Sequence, residues 1–202
     1  MTNINAPFGL RPVKHRNGQH YNGAFRSYFV PASDGTALFV GDPVVKTGTS
    51  NTTNVSAPGA GSFQVGSLPV VTRATAGTTN RITGVIVGFA GDANSPLNRP
   101  ASTDRVVYVC DDPDMLFEIQ SSGALAATDV GLNSVITFAV SGSAFTGKSG
   151  AQLDQSVLAT TAAHQLAIVE LVNREDNFPT LTASKVLVRI NNHTEVAGAA
   201  GI

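Results

Sequence analysis

Glycine, proline, asparagine and aspartate cut this chain into short β-branched and aromatic runs, and that spacing constrains its fold more than any other feature. The runs fall at 25–30, 37–39, 43–46, 70–73, 82–89, 105–110, 115–119, 135–140, 165–172 and 185–190. Most have the length of a strand, about four to eight residues, rather than of a helix. Leu116-Phe117-Glu118-Ile119-Gln120 and Leu187-Val188-Arg189-Ile190 alternate apolar with polar, as strands with one buried face do. Only 123–130 and 151–163 have helix-compatible residues, and neither carries a long amphipathic stripe. The expected fold is all-β with minor helix: a compact β-barrel or β-sandwich-like body with long polar loops and an extended N-terminal arm.

The arm is expected over residues 1–24 and the body over 25–202, the latter as one unit or as two related β-units at about 25–110 and 111–202. A faint repeat motivates the second option. Ala37-Leu38-Phe39-Val40-Gly41-Asp42 leads through a loop to the 82–89 run, and Leu125-Ala126-Ala127-Thr128-Asp129-Val130 leads through a loop to the 165–172 run. Two polar stretches interrupt the strands. Residues 47–66 are almost entirely Gly, Ser, Thr, Asn, Ala and Pro, a composition that buries too little apolar area to fold alone, so a mobile or partner-ordered loop is expected. Residues 91–103, with Pro96 and Pro100, form a second such loop.

The arm reads Ala6-Pro7-Phe8-Gly9-Leu10-Arg11-Pro12-Val13. Its prolines fix φ and bias the residues before them toward extended geometry, which excludes both a helix and a central strand. Exposed Phe8 and Leu10 would cost free energy unless covered, either by the chain's own body or by a neighbouring subunit.

Composition narrows the function. At 202 residues the chain can bury a core without staples, and its single cysteine, Cys110, excludes an intramolecular disulfide. A formal charge of −1 with 13% charged residues leaves no basic field for nucleic acid, and no apolar run is long enough to span a membrane as a helix. No basic region followed by an apolar core marks a secretory signal. A weakly charged surface of this kind favours self-association.

One motif matches a chemical pattern. Gly142-Ser143-Ala144-Phe145-Thr146-Gly147-Lys148-Ser149 fits the phosphate-binding G-x-x-x-x-G-K-[ST] spacing, in which backbone amides and the lysine hold phosphates and the hydroxyl holds magnesium. That function needs a helix directly after the motif and a parallel sheet before it, yet Gly150 follows at once, so a Gly/Ser hairpin loop is expected instead. Asp111-Asp112-Pro113-Asp114 lacks the twelve-residue calcium-loop pattern and reads as a turn. His15, His20, His164 and His193 have no metal-site spacing, and no G-x-S-x-G elbow occurs. No catalytic constellation, cofactor site or metal site is expected, and the chain is not read as an enzyme.

The segments Asn5-Ala6-Pro7-Phe8-Gly9-Leu10-Arg11-Pro12-Val13, Ala37-Leu38-Phe39-Val40-Gly41-Asp42-Pro43-Val44-Val45-Lys46, Ile82-Thr83-Gly84-Val85-Ile86-Val87-Gly88-Phe89, Asp111-Asp112-Pro113-Asp114 and Leu187-Val188-Arg189-Ile190-Asn191-Asn192-His193 together resemble tailed-bacteriophage capsid decoration, or cement, proteins. The resemblance implies a head-stabilising structural protein on the outer surface of the virion, made in the host cytoplasm. Its partners would be the major capsid protein and itself, as a homotrimer or a dimer, with no nucleic acid and no membrane involved. It further implies that an N-terminal arm extends a capsid sheet, which puts the docking contacts here on Pro7, Phe8, Leu10, Arg11 and Pro12. Removing residues 1–13 is then expected to leave a folded body that no longer binds heads. The alternative is a carbohydrate- or receptor-binding β-module on the virion surface, for which a chain with no Trp and three Tyr has few stacking platforms.

Overall fold

The computed structural model describes residues 2–92, 94, 97–198 and 201. Its strands are β1 (Arg11–His15), β2 (Arg26–Val30), β3 (Leu38–Phe39), β4 (Pro43–Ser50), β5 (Val55–Ala57), β6 (Gly61–Phe63), β7 (Pro69–Arg73) and β8 (Gly84–Phe89) in the first half of the chain. They continue with β9 (Asn98–Arg99), β10 (Arg105–Cys110), β11 (Met115–Gln120), β12 (Asn133–Ser134), β13 (Ile136–Thr137), β14 (Gln152–Leu153), β15 (Leu166–Leu171) and β16 (Lys185–Ile190). The two helix-compatible stretches yield only single 3₁₀ turns, Ala127–Asp129 and Gln155–Val157. The molecule is therefore all-β with a closed barrel, as the run spacing predicts.

The barrel runs β10-β2-β7-β4-β8 and closes through the β8–β10 pairing; the β2–β7 contact is parallel, at Phe29 and Val70, and the other pairs are antiparallel. Strand periodicity sorts its side chains. On β2, Tyr28 and Val30 enter the barrel core with Val44, Val71, Ile86, Val107 and Val109, whereas Phe29 points the other way. The second sheet is open, in the order β1-β11-β16-β15-β12. Its Met115, Phe117, Ile119, Val186, Val188 and Ile190 form one core with Leu10 and with Ile82 and Val85 from the barrel segments. The two sheets thus share a hydrophobic core, and a Phe117→Ala cavity there would cost about 3–5 kcal/mol. The barrel strands all fall within 25–110 and those of the open sheet, apart from β1, within 111–202. The 82–89 and 165–172 segments both give a six-residue strand, while their leads differ: 37–42 supplies β3 and the turn into β4, and 125–130 a 3₁₀ turn.

Three expectations need correction. First, 47–66 is ordered by its own chain. β4 extends to Ser50, β5 and β6 form a hairpin, and Ala57, Leu68 and Phe63 pack on Phe29, Val70 and Val106 on the outer face of the barrel. Buried Asn51 ties the stretch together, its amide donating to the Thr53 and Gln64 carbonyls and its oxygen accepting from the Leu68 amide. A side-chain amide substitutes here for the apolar area that the composition lacks.

Second, the loop 91–103 carries β9 and the fully buried Arg99, whose guanidinium donates to the carbonyls of Pro31, Asp34, Thr36 and Thr103. Pro96 lies outside the described residues. The run 135–140 also fails to make one strand and divides between β13 and irregular backbone.

Third, the boundary at 24/25 does not separate an arm from a body. β1 is the edge strand of the open sheet, pairing antiparallel with β11 from Arg11 opposite Glu118 to His15 opposite Met115. Its proline suits an edge, where Pro12 has no N–H to offer, and the extra residue at Val13 breaks the register. The chain then turns back on itself, so that the His15 amide donates to the Gln19 carbonyl and the Tyr21 amide to the Val13 carbonyl.

Candidate functional site

The arm is tied to its own chain at several points, although Ile4, Asn5 and Ala6 are exposed. The Asn3 side chain donates to the Phe178 and Thr182 carbonyls and accepts from the Phe178 amide, and Gln120 donates to the Ile4 carbonyl. Further on, Gly9 crosses the turn between β3 and β4 so closely that a Cβ on it would lie 2.3 Å from the Gly41 oxygen. Both glycines have positive φ, at 73° and 93°, which only glycine adopts freely. The Leu10 amide donates to the Gly41 carbonyl, and the Leu10 side chain is 1% exposed.

A buried carboxylate holds the next residue. Glu118 on β11 is 3% exposed and accepts from Arg11 and, at 3.1 Å, from Arg174. Arg174 also pairs with Asp176, which accepts from Lys185; these two cations hold the exposed Asp176 carboxyl down at about 2.

Of the five expected docking residues, Leu10 is a core residue and Arg11 and Pro12 belong to β1, so the backbone of 11–15 is already paired within the chain. The strand that would extend another protein's sheet is the edge strand of the chain's own open sheet, with β11 on its inner side. Deleting 1–13 would remove Leu10 from the core and leave Glu118 with one guanidinium instead of two. Pro7 and Phe8 are half-buried, and the Phe8 ring lies 5.4 Å under the Arg11 guanidinium.

Instead of leaving the body, the arm forms one wall of a cleft of about 390 Å³. Phe8, Leu10, Arg11 and Pro12 line it on one side, and Val40, Ile86, Val87 and Lys148 on the other. Val87 is the extra residue where the β8–β10 register shifts between Ile86 and Gly88, and such a bulge re-aims a side chain that regular pairing would turn elsewhere. Among the described residues no carboxylate lines the cleft.

The phosphate-motif segment forms the far rim. Ser143 and Lys148 pair across a tight turn in which the Gly147 amide donates to the Ser143 carbonyl and the Ser143 amide to the Lys148 carbonyl. It is the expected hairpin loop, and β14 rather than a helix comes next. Three contacts fix it to the body. Val40 exchanges hydrogen bonds with Gly147 and Ser149, Gly142 lies against the Phe39 ring, and the Ser149 hydroxyl donates to buried Asp42. Burial raises the Asp42 carboxyl, while the Ser149 hydroxyl and the Phe39 amide pull it back. Ser149 is thus committed to the interior.

At the tip of this pinned turn Phe145 is 92% exposed, with Leu97 against Gly147 and exposed Val40 and Val140 on adjoining backbone. Sequence reasoning missed Phe145, Lys148, Val40 and Val87 as surface features. Only Phe145 had a signal, an aromatic residue inside a Gly/Ser turn that has no core to bury it.

The remaining candidates sit apart from this face. Asp111 accepts from the Tyr28 hydroxyl at 2.7 Å, and Asp112 and Asp114 pair with His15 and Arg16, so the acidic run is a turn tied to β1 and β2. Burial pushes the Cys110 thiol up to about 12 and leaves it inert. Among the described residues no cluster of three His, Cys, Asp or Glu side chains converges on a common point, and no helix is long and apolar enough to cross a membrane. Comparison with protein-family models, curated proteins and solved structures finds no significant match for this chain.

Proposed function

We propose that this chain is a structural virion protein that binds the outer surface of a tailed-phage capsid and stabilises it by bridging neighbouring major capsid subunits, itself associating as a trimer or dimer. The observation that carries this reading is Phe145, almost wholly exposed on a turn that is otherwise pinned to the body at three places. A large aromatic exposed on an anchored turn is the kind of group that protein interfaces bury. The resemblance of the arm and of the 37–46, 82–89, 111–114 and 187–193 segments to decoration proteins supplies the capsid as partner. The low charge of the chain suits a contact made by burial and repeated over many copies, where each modest interface is reinforced by its neighbours.

The role is structural and involves no cofactor. The docking contacts move from the arm to the face that the arm supports: Phe145, Val40 and Leu97 make the contact, while Leu10 and Arg11 hold the wall behind it. The test is binding of the purified full chain to expanded heads that lack it, scored by co-sedimentation. Wild type should saturate the heads and Phe145→Asp should not bind; equal binding by both would overturn the proposal.

A further inference from the structure

The cleft between the arm and the hairpin has a chemistry of its own. Its walls are largely apolar, from Phe8, Val40 and Val87 over buried Leu10 and Ile86, and its polar side chains are Tyr21 and two cations, Arg11 and Lys148. Lys148 is exposed and makes no ion pair among the described residues. Arg11 leans on Glu118, but that carboxylate is shared with Arg174; Arg11, Arg174 and Lys185 together meet only Glu118 and Asp176, three cations against two carboxylates. Lys14, the other cation of β1 near this wall, is neutralised by Glu170. The rim therefore carries one cation with no ion pair among the described residues, Lys148, and one that shares its carboxylate, Arg11, beside the partly exposed side chains of Phe8, Val40 and Val87, in a chain whose overall charge is −1.

We infer that this cleft binds a short extended segment of a partner protein that is apolar with one carboxylate, the carboxylate lying between Lys148 and Arg11. The inference rests on the capsid-binding reading in one respect: the segment is taken to belong to the shell protein. Charge decides against the arm or the hairpin of a second copy as the occupant. Neither the arm nor the 141–150 hairpin contains a carboxylate, the first acidic residue of the chain being Asp34, so seating a neighbour's Phe145 turn here would bring its Lys148 against the same two cations. An apolar segment bearing a carboxylate covers the floor and neutralises the rim together, and complementary charge at a rim of this kind sets register and partner choice.

The experiment titrates the ¹⁵N-labelled full chain with two peptides, acetyl-Val-Leu-Glu-Val-Leu-amide and the same peptide with Lys in place of Glu. The glutamate peptide should shift the amides of Val40, Val87 and Lys148, and bind about tenfold or more tightly than the lysine peptide. Lys148→Glu, an exposed change that leaves the core untouched, should reverse that order. Equal affinity for the two peptides, the absence of shifts at those amides, or an unchanged order in Lys148→Glu would each overturn the inference, as would concentration-dependent self-association abolished by Phe145→Ala. Head binding is scored separately. Peptide binding without head binding would leave the cleft's preference standing and remove the capsid reading. Head binding at wild-type level by Lys148→Glu would overturn the assignment of the cleft to a shell segment while sparing the capsid reading.

Discussion

The N-terminal arm and the 142–149 hairpin are both short, glycine-containing and carry a phenylalanine, yet the fold uses them in opposite ways. The arm lies in a trough made for it: Gly9 and Gly41 let two backbones touch, Leu10 enters the shared core, and Arg11 reaches a buried carboxylate. The hairpin is anchored just as firmly, through Val40, Phe39 and Asp42, but its phenylalanine points to water. Apolar residues at a chain end therefore do not by themselves mark a docking device. What separates the two is whether the body offers a complement to the side chain, and only the arm has one.

The comparison breaks most readily at Leu10. Leu10→Ala should destabilise the whole protein by about 2–5 kcal/mol in urea or guanidinium unfolding, the range for emptying a buried leucine site; a loss near zero would mean that the arm is not part of the core. Gly9→Ala should cost about 1–3 kcal/mol, because alanine resists the positive φ and its methyl group meets the Gly41 oxygen. Wild-type stability in that variant would show that the crossing is loose.

A smaller effect tests the joint between barrel and sheet. His193 is buried beside Ile82, its Nδ1 accepts from the Glu195 amide, and burial lowers its pKa from the ordinary 6.5. Below that value the unfolded chain takes up the proton before the folded one does, so stability is fully present above about 6.5 and declines as pH falls toward the lower folded pKa. Melting temperatures at pH 7.5 and 5.5 should differ in wild type and differ less in His193→Asn; identical differences would remove His193 from the account. The smallest effect on stability belongs to the hairpin. Phe145→Ala should stay within about 0.5 kcal/mol of wild type in the same unfolding assay, as exposed substitutions do, and a loss comparable to that of Leu10→Ala would erase the contrast between the two regions.

Much of the fold could be read from local pattern. The runs at 105–110, 115–119 and 185–190 became β10, β11 and β16 with almost no change of boundary, because each alternates or is continuously apolar between clear turn residues. The hairpin nature of 142–149 was legible from its Gly/Ser composition, with Gly150 disfavouring a helix directly after it. What was not legible depends on partners distant in sequence. β1 exists because β11 lies open beside it, 107 residues from Arg11 to Glu118. The 47–66 loop is ordered by Asn51, whose three hydrogen bonds no composition count can foresee. The candidate site was half legible: Phe8, Leu10, Arg11 and Pro12 do line it, but as a wall. The opposite wall needed Val40, Val87 and Lys148 to be brought together from three separate segments.

The most direct test is to compare Phe145→Asp with wild type for occupancy on expanded heads, after confirming that both unfold at the same temperature. Unchanged melting with lost occupancy is the predicted result. Unchanged melting with wild-type occupancy would contradict the claim that the hairpin face, supported by the arm, is the surface that meets the shell.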